Sequence, residues 1–379
     1  MKVLLAICLV VTTSLHSLAQ EQLDASTTYV VIAGVLQWPE GRLGSFATKN
    51  RKDEELYETL KARGVPEAQM KLLLDDDATY SKIRTAIRDV AGKAPKDATF
   101  IFYYCGHGMP AGGDDVCLAN YDLDPKHPKR TGLLVSDTTS IIEKHFHGKR
   151  VLLLADCCFS GGLAKSARAL HKAGFEAASL TSATDSVTST GNWTFTQTII
   201  DGLKGDSFGD ANGDGSLTLS ELAGDVKVAM EALESQPAGV AVENWPKDLK
   251  LAEAKRKPSK TEGPFSIGDY VMAPSEGGTR VGRLIELGER ESTVEFYDYS
   301  DKSQSKIAND KIQSLAGYKA LKGKLETATH EVEWRGNWYK ASVMKRDGKK
   351  TQIHYVGYGP EWDEWVTPER IRPIPFDGQ

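Results

Sequence analysis

An excess of charge of either sign is missing from this sequence: 47 Lys and Arg stand against 52 Asp and Glu, a formal charge of −5 over 379 residues. So mild a balance has no electrostatic footprint for nucleic acid, and none is expected as a partner. Cysteine is scarce, five in all. A chain of this length builds a core without covalent staples, so Cys105, Cys117, Cys157 and Cys158 are not read as a disulfide framework. Long apolar runs are lacking beyond the first twenty residues, which excludes a membrane-spanning helix further along. The N-terminus itself, "MKVLLAICLVVTTSLHSLAQ", has a basic Lys2, an apolar core Val3–Val11 and the small-x-small ending Ser17-Leu18-Ala19. It reads as a signal peptide over residues 1–19, too short to anchor the chain in a membrane. A lipid anchor at Cys8 fits poorly, because that residue lies mid-core after the bulky Ile7. The expectation is a secreted or periplasmic protein without a membrane anchor.

What is present is a change of texture. From residue 28 to 250, near-continuous apolar runs (Tyr29–Val35, Lys71–Leu74, Thr99–Tyr104, Val151–Ala155, Ala177–Ala183) alternate with amphipathic stretches. Such runs suit a mostly parallel sheet covered on both faces. Tyr80, Ile83, Ile87 and Val90 recur at helical spacing before Gly92, and Leu56 and Leu60 mark a second helix. The pattern predicts a doubly wound α/β domain. "LAEAKRKPSKTEGP", residues 251–264, is basic, polar and proline-broken and reads as a linker. Beyond it, residues 265–318 and 325–376 show short alternating strands and comparable openings, a divergent tandem repeat of two small all-β barrels.

Two of the apolar runs end in reactive residues. "IFYYCGHG" places His107 past one, and "VLLLADCCFSGG" places Cys157 and Cys158 past another. Open α/β sheets build their sites outside the carboxyl ends of strands. A thiol with an ordinary pKa of about 8.5 becomes a thiolate nucleophile when an imidazole stands beside it. Side chains alternate along a strand, so one cysteine of the pair meets the site and its neighbour packs below; parity alone leaves open which. Cys105 and His107 share a face if the strand stays extended. A zinc site built from Cys105, His107, Cys157 and Cys158 is disfavoured, since adjacent cysteines on a strand do not easily reach one ion.

"YYCGHG" followed some fifty residues later by "DCCFSGG" resembles the caspase-like cysteine peptidases, and specifically their bacterial metacaspase branch. The resemblance covers most of residues 29–221 and implies a caspase-like α/β domain acting on polypeptides. It implies Cys158 as nucleophile, His107 as base, and the backbone N–H groups of Gly108 and Cys158 as the oxyanion hole. It further implies a pocket for a substrate Arg or Lys, lined by Asp156 and Asp53. The chain departs from the pattern at Cys105, where the family often has Ser, and at Phe159, where many members have His. The competing reading is a catalytically silent caspase-like scaffold that binds ligands through its C-terminal barrels.

Two further motifs stand apart from that pair. "DANGDGSLTLSE" matches the twelve-residue EF-hand loop, with Asp210, Asn212, Asp214, Ser216, Thr218 and Glu221 as the calcium ligands and Gly215 at the sharp turn. Calcium is expected to modulate the enzyme and is not required for its chemistry. "HEVEWRGNWYKASVMKR" with "IHYVGYG" and "WDEWV" resembles a Tudor-like or chromo-barrel module, and residues 265–315 resemble the same SH3/Tudor-like fold more weakly. In an exported chain these aromatics read first as barrel core and rim. The alternative is a cage for a methylated cation, an unidentified ligand, built from Trp338, Tyr355, Tyr358 and Trp362.

Overall fold

The computed structural model describes residues 20–113, 115–184, 189–257, 264–276, 278–298, 301–315, 330–334, 337–348, 350–356 and 363–373. The expected signal peptide and two of the expected cage residues, Tyr358 and Trp362, lie outside them.

Strand β1 (Thr28–Gly34) is followed by helix α1 (Lys52–Ala62), strand β2 (Met70–Leu74), helix α2 (Tyr80–Ala91) and strand β3 (Thr99–Cys105). Short strands β4 (Gly108–Pro110) and β5 (Val116–Leu118), a turn of helix α3 (Pro128–Thr131) and strand β6 (Leu133–Leu134) come next. Helix α4 (Val135–His145), strand β7 (Arg150–Asp156), helix α5 (Leu163–Lys172) and strand β8 (Glu176–Thr181) continue the alternation. Helix α6 (Thr194–Lys204), strand β9 (Ser216–Thr218), helix α7 (Leu219–Leu233), strand β10 (Gly239–Glu243) and strand β11 (Lys250–Glu253) complete the domain. The main sheet has the order β10-β8-β7-β3-β1-β2. All its pairs are parallel except β10 with β8.

The apolar runs are continuous because both faces are covered. Val31, Ala33, Phe102 and Tyr104 pack with Ile83 and Ile87 of α2, Ile142 of α4 and Leu170 of α5. Their neighbours Val30, Ile32, Ile101 and Tyr103 pack on the other side with Leu56 of α1, Ile199 of α6 and Val226 of α7. This is the period-two alternation of a strand with no solvent face. The expected helices form with the signals they carry. Thr79 caps α2 by accepting from Lys82 N–H, and Thr218 with Glu221 makes a reciprocal capping box on α7.

The linker begins later than expected. Leu251, Ala252 and Glu253 belong to β11, which pairs antiparallel with β9. Their polar surroundings read as a linker, but the exposed edge of β9 supplies a partner that local composition does not reveal. Nothing in the sequence marks the little sheet of β4, β5 and β6 either; its strands are two or three residues long, too short to carry a period.

Beyond residue 264, strands β12 (Tyr270–Ser275), β13 (Gly278–Glu286), β14 (Glu291–Asp298), β15 (Asp301–Ala308) and β16 (Gln313–Ser314) form one antiparallel sheet. Strands β17 (His330–Trp334), β18 (Asn337–Asp347), β19 (Lys350–Tyr355), β20 (Glu364–Val366) and β21 (Ile371–Pro373) form another. Both are four-strand meanders whose first strand also pairs with the fifth, β15-β14-β13-β12-β16 and β20-β19-β18-β17-β21. The tandem repeat expected from the sequence is thus present as two sheets of one topology.

The first of these sheets docks on the α/β domain through buried charge. Arg283 of β13 makes a forked pair with Asp225 of α7, at 2.7 and 3.3 Å, and its guanidinium lies over the rings of Phe208 and Tyr270. Lys302 of β15 reaches Asp201 of α6 at 2.5 Å. Removing one partner of a buried pair strands the other charge at a cost of about 3–5 kcal/mol. Asp225→Ala is therefore expected to lower the thermal midpoint by many degrees, whereas Lys61→Ala, which breaks an exposed pair with Glu67, should leave it nearly unchanged.

Candidate active site

Strands β1, β3 and β7 end level with one another: Gly34 is the register partner of Cys105, and Cys105 that of Asp156. Past these ends the chain does not stay extended. Gly106 has φ +140°, and a Cβ there would come 2.6 Å from the Val35 carbonyl oxygen. The turn separates Cys105 from His107, which were expected to share a face only on an extended strand. Cys105 stays buried on the α1 and α6 side, where its thiol donates to Asp53 Oδ2 at 3.4 Å. His107 swings out between Trp38 and Phe46, with ring centroids 4.9 and 4.6 Å away.

The tautomer of His107 follows from its partner. Nε2 lies 2.7 Å from the Gly44 carbonyl oxygen, which can only accept, so Nε2 carries the hydrogen. Nδ1 then keeps its lone pair and is the basic atom of the ring.

At the end of β7, Cys157 turns into the core beside Tyr104 and Leu153, while Cys158 is half-buried and opens onto a cleft that His107 also lines. Phe159 adopts the left-handed conformation, φ 56°, and bends the chain away directly after Cys158. A non-glycine residue there holds strain that its surroundings must support, and such strain clusters at functional sites. Burial pushes up the thiols of Cys105 and Cys157, and that of Cys117 to about 12, so all three are neutral and poor nucleophiles at neutral pH. Of the adjacent pair, Cys157 is buried and Cys158 half-buried. All four described cysteines are free. Among the described residues no three His, Cys, Asp or Glu side chains converge on a metal position, and Cys105 and Cys157 lie on opposite faces of the sheet.

Cys158 Sγ accepts a hydrogen bond from Ser189 N–H at 3.2 Å and faces the Ser189 carbonyl at 3.8 Å. It makes no hydrogen bond to His107 in this structure; catalytic pairs without substrate are often this loose. Gly108 packs against the Cys158 backbone so closely that a Cβ would lie 2.0 Å from the Cys158 carbonyl oxygen.

The two expected pocket carboxylates have different fates. Asp156 lines the cleft and accepts from Thr196 Oγ1 at 2.6 Å. Burial raises its pKa to about 6, against the lowering effect of hydrogen bonds from Thr196 and Ser182. Asp53 is fully buried and does not line the cleft. Arg51 grips both its oxygens, at 2.8 and 2.7 Å, and reaches Asp75 at 2.6 Å. Sequence reading missed Arg51, because nothing in its spacing from Asp53 says that the two side chains meet. Trp38, Gly44, Phe46 and Ser189 were missed for the same reason, lying in irregular segments without a period.

The residues of the calcium-type loop come together, though mainly to bind the loop itself. Asp210 is fully buried and its carboxylate accepts from Gly213, Asp214 and Gly215 N–H. Asn212 and Asp214 bond to each other, Ser216 and Thr218 lie in β9, and Glu221 accepts from Ala211 N–H and closes the capping box with Thr218. The two described cage residues, Trp338 and Tyr355, are not brought together. Tyr355 pairs with Ala341 across the ladder and so shares its face, whereas Trp338, three residues from Ala341, lies on the other. Tyr355 is buried with its hydroxyl on Glu364, and Arg372 covers the Trp338 ring at 3.8 Å.

A thiol and an imidazole are thus brought to one cleft by neighbouring parallel strand ends of an α/β sheet. The caspase domain matches residues 48–262, more than half of the chain, and the chain belongs to that family. Membership implies a cysteine peptidase with a polypeptide substrate. Among solved structures, a protein from Geobacter sulfurreducens is similar at 16% identity and a TM-score of 0.41, over 60% of this chain and 97% of that one. No curated protein matches. No described helix is long and apolar enough to cross a membrane.

Gly108→Ala should drive a methyl group into the Cys158 carbonyl and shift Cys158. A displacement of about 1 Å lowers turnover on the order of 10²-fold. Peptide hydrolysis by the variant, compared at equal folded fraction by circular dichroism, checks this.

Proposed function

We propose that this protein is a metacaspase-type cysteine endopeptidase in which Cys158 is the nucleophile and His107 the general base. The observation that carries the reading is the Nε2–H of His107 on the Gly44 carbonyl, which leaves Nδ1 without a hydrogen on a residue that lines the same cleft as the half-buried Cys158 thiol. His107 Nδ1 takes the thiol proton as sulfur bonds to the scissile carbonyl carbon. The carbonyl oxygen, now anionic, is held by the N–H groups of Gly108 and Cys158. His107 then returns the proton to the leaving nitrogen, the C–N bond breaks, and a thioester remains on Cys158. Water, giving a proton to His107, attacks the thioester; the C–S bond breaks and the thiolate recovers its proton.

Selectivity for Arg or Lys rests, in this reading, on Asp156 alone. Asp53 has its cation already in Arg51, so it offers a substrate no net charge. The preference should then follow the ionisation of Asp156. Above pH 6 the carboxylate is charged and attracts a cation; below it the group is neutral.

The test is hydrolysis of matched fluorogenic peptides ending in Arg, Lys, Gln or Asp, by the mature protein and by Cys158→Ala. Turnover of the Arg and Lys peptides, abolished in the variant, is expected. The Arg-over-Gln ratio of kcat/KM should fall about tenfold between pH 7.5 and pH 5, matching a carboxyl that is one-tenth ionised at the lower value. Activity on no peptide would favour the silent scaffold.

Asp210, Asn212, Asp214, Ser216, Thr218 and Glu221 follow one another along the loop as the oxygen donors calcium takes, although their carboxylates are not gathered on one point here, and the buried Asp210 carboxylate accepts from three backbone N–H groups. Calcium held there would stabilise the start of α7. Millimolar calcium is expected to raise the thermal midpoint, and Asp210→Asn to remove the effect; an equal midpoint with calcium or a chelator would refute it. We read the C-terminal sheets as Tudor-like modules with an unidentified ligand, and residues 1–19 as an export signal.

A further inference from the structure

The segment that touches the Cys158 sulfur is held from behind by a residue that the catalytic reading does not use. Helix α7 ends at Leu233, and Ser235 takes the left-handed conformation, φ 53°. Gln236 N–H bonds back to Met230 O at 3.2 Å. This turn seats the Gln236 side chain, buried, against Ser182, Ser189 and Thr190. Its Oε1 accepts from Thr190 N–H at 3.0 Å. Its Nε2 donates to the Ser182 carbonyl and lies 3.3 Å from Ser189 Oγ. Ser189 Oγ in turn meets Ser182 Oγ at 3.0 Å. Two residues earlier, Glu234 accepts from Asn192 Nδ2 at 3.0 Å and from Thr194 Oγ1.

Each end of one buried carboxamide therefore has a fixed partner, and between those partners sits the backbone N–H that bonds to the Cys158 sulfur. We propose that Gln236 is a positioning residue for the nucleophile, holding Ser189 by its hydroxyl and by the peptide that follows it, so that the Ser189 main chain stays against Cys158 Sγ. This rests on the reading of Cys158 as nucleophile. Ser189 meets the sulfur twice, by its N–H at 3.2 Å and its carbonyl at 3.8 Å, so the placement of this residue sets where the sulfur stands. Losing that placement affects the chemical steps rather than substrate binding. Gln236 touches neither substrate nor the reacting atoms and acts only through Ser189.

The experiment measures the second-order rate of Cys158 alkylation by iodoacetamide, read by mass spectrometry of the intact mature protein, beside kcat and KM on an Arg peptide. Cys105, Cys117 and Cys157 are buried, so the first adduct reports on Cys158, and Cys158→Ala supplies the background. Gln236→Ala is expected to slow alkylation at pH 7 and to lower kcat, each about tenfold, with KM unchanged. Gln236→Glu keeps the size of the side chain but sets a carboxylate against the Ser182 carbonyl, losing the donor. It should be as slow as the Ala variant at pH 7 and recover towards the wild-type rate at pH 5, where a protonated carboxyl donates again. If Gln236→Ala does not fold, the isosteric variant decides alone. Wild-type alkylation rates in a folded Gln236→Glu at pH 7, or a slow rate that does not recover at pH 5, would overturn the proposal. Alkylation needs no peptidase activity. Altered alkylation in a chain that cleaves no peptide would sink the peptidase reading and leave the positioning role standing.

Discussion

The parallel register of β1, β3 and β7 is the constraint from which the site follows. Because Gly34, Cys105 and Asp156 end level, the residues just past them are delivered to one patch above the sheet. Two backbone departures then aim the side chains. The turn at Gly106 sends His107 out between two aromatic rings, and the left-handed Phe159 bends the chain so that Cys158 stands at a corner. Neither departure would be tolerated in mid-strand, where it would break ladder hydrogen bonds. They occur at the strand ends, where the ladder has finished. The sheet supplies rigidity and the first residues after it supply reactivity.

Charge around the cleft is arranged so that one carboxylate faces it. Asp53 and Asp156 both disfavour the charged form of the Cys105 thiol, so two buried carboxylates crowd one region of the core. Arg51 resolves the conflict by pairing with Asp53, and Asp75 completes its fork. The space left for Asp53 is tight: a Cβ on Gly34 would lie 1.7 Å from its Oδ2, so only glycine fits at the end of β1. Asp156 remains, satisfied by Thr196 of α6 and by Ser182. Of the two carboxylates expected in the pocket, Asp156 lines the cleft and Asp53 does not.

Helix α7 joins regions that are far apart in the chain. Its first turn closes the acidic loop through Glu221, its middle carries Asp225 into the buried pair with Arg283, and the turn after it grips the Ser189 segment through Glu234 and Gln236. The first C-terminal sheet thus packs on an element that supports the segment touching Cys158, and Lys302 ties the same sheet to α6 through Asp201. That sheet is built against the α/β domain rather than strung beside it.

Much of this architecture is legible in the amino-acid sequence. Apolar runs and helical spacing locate the five parallel strands and α1 and α2, since backbone conformation is set by local sterics and by a period that burial imposes on the sequence. The two strand-end motifs locate Cys158 and His107. Pairings between segments far apart are not legible there: β11 with β9, Arg283 with Asp225, Ser189 with Cys158, Gln236 with Thr190. The same holds for Asp53, a pocket residue by its motif that the fold pairs with Arg51, and for Trp338 and Tyr355, joined by composition and parted by strand parity. The sequence by itself determined which groups are capable of chemistry and which segments are strand or helix. Only the tertiary structure decided which of those groups are neutralised, buried or aimed at the cleft, because a side chain's charge partner and exposure are set by neighbours that no local pattern encodes.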